Sequence, residues 1–141
     1  MPPAEKQQQL VARFAIIEDA QERLGAVVDW ARRLSPLADS EKIDAHRVPG
    51  CVSRVWLIGS LEEGRCRFRI DADSALVKGL AALVCAPYDG AAPAEAASFS
   101  ADILDALALS SRLSPTRLHG LAQVQRAIRA FAAARCGEAS P

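Results

Sequence analysis

Ser53-Arg-Val-Trp-Leu-Ile-Gly59 and Arg65-Cys-Arg-Phe-Arg-Ile70, joined across Glu62-Glu63-Gly64, decide the fold of this chain. The first run is dense in β-formers, with Val55, Trp56, Leu57 and Ile58 in succession. The second alternates strictly, so a strand would turn Cys66, Phe68 and Ile70 to one side and Arg65, Arg67 and Arg69 to the other. A Glu-Gly turn between two such runs predicts an antiparallel hairpin. Its arginine face can meet water, and its apolar face needs a cover.

Working outward, the cover has to be helical. Upstream, Pro2 to Gln9 reads as a polar lead into a short helix carrying Leu10, Val11 and Phe14. Asp19, with Glu22 three residues on, caps a second helix whose apolar face is Leu24, Val27, Val28, Ala31 and Leu34. Ser35-Pro36 ends it. A polar connection, 38–44, then leads to His46-Arg47-Val48, which could form a short strand broken by Pro49-Gly50-Cys51. Downstream, Asp73 caps a helix with Leu76, Val77, Leu80, Leu83 and Val84 buried, ending at Pro87. Gly79 within it marks a close contact. Pro93 opens a short helix, and Ser100 caps another with Ile103, Leu104 and Leu107. The last helix has Leu113 before the cap, Ser114 as cap, Pro115 at its first position and Leu118 to complete a staple. Leu121, Ile128 and Phe131 continue its apolar stripe. Strands grouped between helices predict an α+β fold, a small antiparallel sheet with helices packed on one face. The 141 residues suit a single domain, with about four N-terminal and about six C-terminal residues frayed.

Composition narrows the function. Lys plus Arg equal Asp plus Glu at 17 each, so there is no basic excess to hold nucleic acid, and a protein partner is expected instead. Half the residues are apolar, but 28 are alanine, so the core rests on Leu, Val, Ile and Phe. No apolar run is long enough to cross a membrane, and the polar start lacks a signal-peptide core. A cytoplasmic setting with reduced thiols follows as the expectation. The four cysteines, Cys51, Cys66, Cys85 and Cys136, have no metal-site spacing.

Cys66 falls on the inward side of its strand and Cys85 on an apolar helix face, both places for a small buried hydrophobe. Cys136 sits near the chain end. Cys51 differs: it follows Pro49-Gly50 at a backbone reversal, flanked by Lys42, His46, Arg47 and Arg54. Positive charge lowers a thiol pKa toward the nucleophilic thiolate, although a loop cysteine filling a gap is an equal reading of the position. Arg117 falls in the first turn of the last helix, where the macrodipole disfavours a cation. A solvated arginine or an ion pair with a nearby carboxylate would account for it; the functional reading is an anion near Cys51, whether a thiolate, a persulfide or a partner carboxylate. His46 could act as a base beside the bend, and capping alone accounts for Asp73.

Three motifs, in order and spacing, resemble the SufE/CsdE family of sulfur acceptors. They are Val48-Pro-Gly-Cys-Val-Ser-Arg-Val-Trp56, Asp73-Ser-Ala-Leu-Val-Lys-Gly-Leu80, and Leu113-Ser-Pro-Thr-Arg117 followed by Gly120-Leu121. The resemblance implies a fold shared with IscU-type scaffold proteins. It also implies an accessory sulfur-transfer role rather than stand-alone catalysis. Cys51 would accept persulfide sulfur from a SufS- or CsdA-type cysteine desulfurase, whose pyridoxal phosphate is the partner's cofactor and not this chain's. Delivery would be to an iron–sulfur scaffold such as a SufBCD-type complex. Asp73 and Arg117 match positions near that loop or the partner surface. The family pattern usually has Gln where Val52 and Arg54 stand, His where Arg112 stands, and Asn or Gln in place of His119. Two alternatives remain at this level: an iron–sulfur or metal scaffold, and a regulator of the desulfurase that takes no sulfur. A thiol peroxidase is a weaker third.

Overall fold

The structure, a computed structural model, describes residues 1–136. The hairpin lies at its centre. Strands β1 (Val55–Glu62) and β2 (Arg65–Ala72) pair antiparallel from Val55 opposite Ala72 to Glu62 opposite Arg65. The two-residue turn between them has both central residues at positive φ, Glu63 at 53° and Gly64 at 76°. A type I′ hairpin turn requires this, and it matches the twist of the strands. Cross-strand partners share a face, so Val55, Leu57, Gly59 and Leu61 lie with Ala72, Ile70, Phe68 and Cys66.

That face meets helices. Helix α3 (Ala75–Cys85) packs on β2 and against α2 (Ala20–Arg32). A Cβ on Gly79 would lie 3.1 Å from the Val28 Cα, so the predicted close approach is real. Helix α6 (Pro115–Arg135) crosses the hairpin and lays Phe131 over Gly59, where a Cβ would sit 2.8 Å from the ring. Phe131 also meets Phe68 edge-on, with centroids 5.4 Å apart. Helix α1 (Pro3–Ala15) covers the turn Ala86–Tyr88, α4 (Pro93–Ser98) lies on α6, and α5 (Ile103–Ala106) touches α1 and α3. Tyr88 is fully buried, its hydroxyl donating to the Phe99 carbonyl and accepting from Ala101 N–H and Gln125. The architecture is α+β, as the pattern predicts.

Several local expectations are corrected. The polar stretch is not a lead ahead of the helix but part of it: α1 begins at Pro3, which is buried and sits where proline's missing N–H costs nothing. Lys6 in its first turns donates to the Asp89 carbonyl at 2.7 Å, holding the helix down. His46-Arg47-Val48 is not a strand: Asp44–His46 forms a 3₁₀ turn, and Arg47 alone bridges to Trp56. Ser74, not Asp73, caps α3 through the Val77 N–H, and α5 follows Asp102 with no side-chain cap from Ser100. Asp19 and Ser114 cap as expected, accepting from the Gln21 and Arg117 N–H groups. The outer face of the hairpin is only half open to water. The connection 37–48 crosses its Trp56–Asp71 end, burying Leu37, Trp56 and Asp71. Expectations for residues 137–141 lie outside the described residues.

Candidate functional site

Cys51 stands at a bend that glycine makes possible. Gly50 has φ +82°, a conformation other residues rarely adopt, and a Cβ there would press on the Gln123 side chain at 3.0 Å. The bend turns the chain against the second turn of α6. There Gly120 lacks a side chain, so the Cys51 Sγ comes close and donates to the Gly120 carbonyl at 3.2 Å. A Cβ on Gly120 would lie 3.5 Å from that sulfur.

Beside the thiol is a cavity of about 110 Å³. Val55, Val77, Leu121 and Val124 form its apolar wall, and Ser114, Thr116 and Arg117 its polar lip. It is therefore built from the cysteine bend, the start of β1, one turn of α3 and the N-terminal turns of α6. Among the described residues no carboxylate pairs with Arg117, so its charge is available to the cavity mouth.

Burial pushes the Cys51 thiol above its ordinary pKa, and the Arg47 charge opposes this without overcoming it. The flanking charge pulls the pKa down as its sign requires, but in the resting protein burial outweighs it. Burial is the cause of the upward shift: the cavity wall beside the sulfur is apolar, which disfavours the charged form. The sheltered sulfur is a thiol.

Of the five residues singled out from sequence, the structure brings two to one cavity, Cys51 and Arg117. Arg54 is exposed, and its carbonyl accepts from the Asp73 N–H at 3.1 Å, which ties the start of β1 to the start of α3. The Asp73 side chain is exposed, freed for contact because Ser74 does the capping. His46 turns its Nδ1 to the Glu41 carbonyl at 2.8 Å, within the connection rather than toward the sulfur. Gly120 and Val77 went unremarked as site residues. A glycine in the second turn of a helix was the available signal for Gly120; Val77 read only as core. Cys66 and Cys85 are buried thiols whose pKa values burial pushes up. Among the described residues no three His, Cys, Asp or Glu side chains converge as for a metal.

Fold and site together define a class: a small α+β protein whose central hairpin presents one half-buried thiol, at a glycine bend, to the start of its C-terminal helix. Residues 8–132 match the model of the SufE family, described as "Fe-S metabolism associated domain". The chain belongs to the SufE family, and so to iron–sulfur metabolism. It is 34% identical over 111 residues to an uncharacterized SufE-like protein of Synechocystis sp., covering 79% of this chain and 70% of that one. It is 32% identical over 132 residues to an uncharacterized SufE-like protein of Rhizobium etli, covering 90% and 89%. A third match, 36% over 96 residues, covers 67% of this chain but 14% of the chloroplastic quinolinate synthase of Oryza sativa. The solution structure of a hypothetical protein from Thermus thermophilus shares the fold, with TM-score 0.76, 19% identity and 98% coverage of both chains. No helix among the described residues is long and apolar enough to cross a membrane.

Proposed function

We propose that this chain is a sulfur carrier, with Cys51 as the acceptor of persulfide sulfur from a pyridoxal-phosphate-dependent cysteine desulfurase of the SufS or CsdA kind. The observation that carries the reading is the pairing of one thiol with an apolar-walled cavity and, at its lip, an arginine with no carboxylate partner among the described residues. In the transfer, the Cys51 thiolate attacks the outer sulfur of the desulfurase's cysteine persulfide. A new sulfur–sulfur bond forms on Cys51, the old one breaks, and the desulfurase cysteine leaves as a thiolate that can take the proton Cys51 gave up. No external oxidant or reductant is needed. The apolar wall would shelter the added sulfur between encounters, and Arg117 would face its negative charge.

A raised thiol pKa makes docking part of the chemistry. The bend has to lift Cys51 away from the Gly120 carbonyl before the sulfur ionises, which delays reactivity until a partner is present. Delivery to a SufBCD-type scaffold, in a cytoplasmic setting, completes the reading. The metal-scaffold alternative would need further ligands, and among the described residues no second thiol or imidazole lines the Cys51 cavity. Incubation with desulfurase, pyridoxal phosphate and free cysteine, followed by intact-mass analysis, tests the proposal. One added sulfur, lost on reduction and mapped to Cys51, is expected. Desulfurase stimulation that survives Cys51→Ser without any persulfide would make the chain a regulator instead.

A further inference from the structure

Asp71 is the one charged side chain buried among the described residues, at 4% exposure, and nothing in sulfur transfer calls for it. It sits on the outer face of the hairpin, opposite Trp56 in register. Two N–H donors and two lysine ammoniums converge on it from three directions. The Leu37 N–H reaches Oδ2 at 3.0 Å, and the Lys42 ammonium reaches the same oxygen at 3.6 Å, both from the connection that crosses the sheet. The Ala72 N–H reaches Oδ1 at 2.8 Å, and Lys78 of α3 reaches it at 3.6 Å. A buried ion pair adds little net stability, because desolvation cancels most of the attraction, but breaking one partner away is costly. Such a group fixes an arrangement more than it strengthens a fold.

The arrangement fixed here ends at Cys51. Held at Leu37 and Lys42, the connection has two 3₁₀ turns and no longer element of its own. Lys42 also lies over the Trp56 ring, 5.6 Å from its centroid, and Arg47 bridges to the same Trp56. Val48 N–H then donates to the Val55 carbonyl at 2.8 Å, and the next three residues are Pro49, Gly50 and Cys51. Glu41 adds a second clasp, bidentate to Arg69 at 2.6 and 3.0 Å. On the other side, Lys78 follows Val77, which lines the cysteine cavity. One carboxylate therefore ties both the strap that leads into the bend and the helix that walls the cavity.

We infer that Asp71 is a positioning residue for Cys51: by seating the 37–48 strap across the sheet it holds the bend closed, with the thiol turned in against α6. The inference rests on Cys51 being the working thiol, but its test does not depend on sulfur transfer. In the full chain, Asp71→Asn keeps the side-chain shape and removes the charge that both lysines face. Iodoacetamide labelling with peptide mapping then reads each cysteine. Cys51 should label about fivefold faster or more, the factor for roughly 1 kcal/mol less cost of opening. The buried Cys66 and Cys85 should keep their slow rates. The midpoint of the Cys51 labelling profile should also fall toward the ordinary 9.0 as the sulfur becomes hydrated. The charge acting on it, Arg47 on its own segment, is unchanged, as is Arg117 of α6 at the cavity lip, while β1 and α3 present only Val55 and Val77. Lys42→Met should act in the same direction and add nothing in the Asp71→Asn background. It is also the deciding variant where Asp71→Asn does not fold. Cys51 labelling within about twofold of the unsubstituted chain, or rising only in step with Cys66 and Cys85, overturns the inference. Absence of a persulfide on Cys51 in the unsubstituted chain would sink the carrier reading alone and leave this one standing.

Discussion

Cys51 donates its hydrogen to a helix carbonyl, and that bond lasts only while the sulfur keeps its proton. The thiol pKa is raised by burial and pulled back by Arg47, so removing the arginine should raise it further. Below the pKa the thiolate fraction falls tenfold per unit, and thiolate is what reacts. Arg47→Ala should therefore slow Cys51 labelling at a fixed pH of about 8, by a factor of a few because Arg47 is exposed and its charge is screened. The measurement is the labelling rate against pH; a faster reaction in Arg47→Ala would contradict the balance described. Arg117 acts differently, because it faces the cavity rather than the resting thiol. Arg117→Ala should cost sulfur acceptance roughly tenfold while changing stability by less than about 0.5 kcal/mol, as expected of a half-exposed residue outside the core. Arg117→Lys should recover part of that loss, checked by the rate of persulfide formation under a single turnover.

At the scale of elements, the cavity depends on how α6 begins. Ser114 accepts from the Arg117 N–H, and replacing it with Ala should cost about 1 kcal/mol by urea titration. Fraying of that turn would also loosen Thr116 and Arg117, so Cys51 should label faster in Ser114→Ala. Gly79 tests packing rather than capping. Ala in place of Gly within a helix ordinarily gains up to about 1 kcal/mol. Here the new methyl would meet the Val28 backbone at 3.1 Å, which cannot step aside as a side-chain tip would, so Gly79→Ala should lower the urea midpoint instead. Both elements were legible in the sequence because the signals are local: a serine before a proline, and a glycine inside an apolar stripe. The alternation of Arg65 to Ile70 was legible for the same reason. The caps of α3 and α5 were read one or two residues off, since Asp73, Ser74, Ser100 and Asp102 are all capable caps and only the helix's docking chooses among them.

For the molecule as a whole, what the sequence could not carry is burial that arises between distant segments. The charges around Cys51 were legible, and the apolar wall from Val77 and Val124 that outweighs them was not. Asp71, one residue past the alternating run, drew no notice in the sequence, because nothing local says that the strap from Leu37 folds back over it. The same long-range burial gives the protein a pH dependence that can be worked out in sign. Cys51, Cys66 and Cys85 all have pKa values raised above 9.0, and Tyr88 above 10.0, with burial the leading cause in each. In the unfolded chain these groups lose their protons near the ordinary values, while in the folded chain they keep them. Above about pH 9 the unfolded state therefore binds fewer protons, and stability must fall as pH rises. Asp71 works on the acid side. Desolvation pushes its pKa up, but two N–H donors and two lysines outweigh that and lower it, so its contribution is present at neutral pH and fades as pH drops below 3.8. Urea midpoints measured from pH 3 to pH 10 should trace a plateau bounded on both flanks. Cys85→Ala separates the alkaline contribution from general base denaturation, because Cys85 is fully enclosed and Ala leaves no group to titrate. The variant will be less stable at pH 7 for the lost packing, yet its midpoint should decline less between pH 8 and pH 10 than that of the unsubstituted chain. An equal decline in the two proteins would mean that the enclosed thiol ionises without opening the fold, contrary to the burial described.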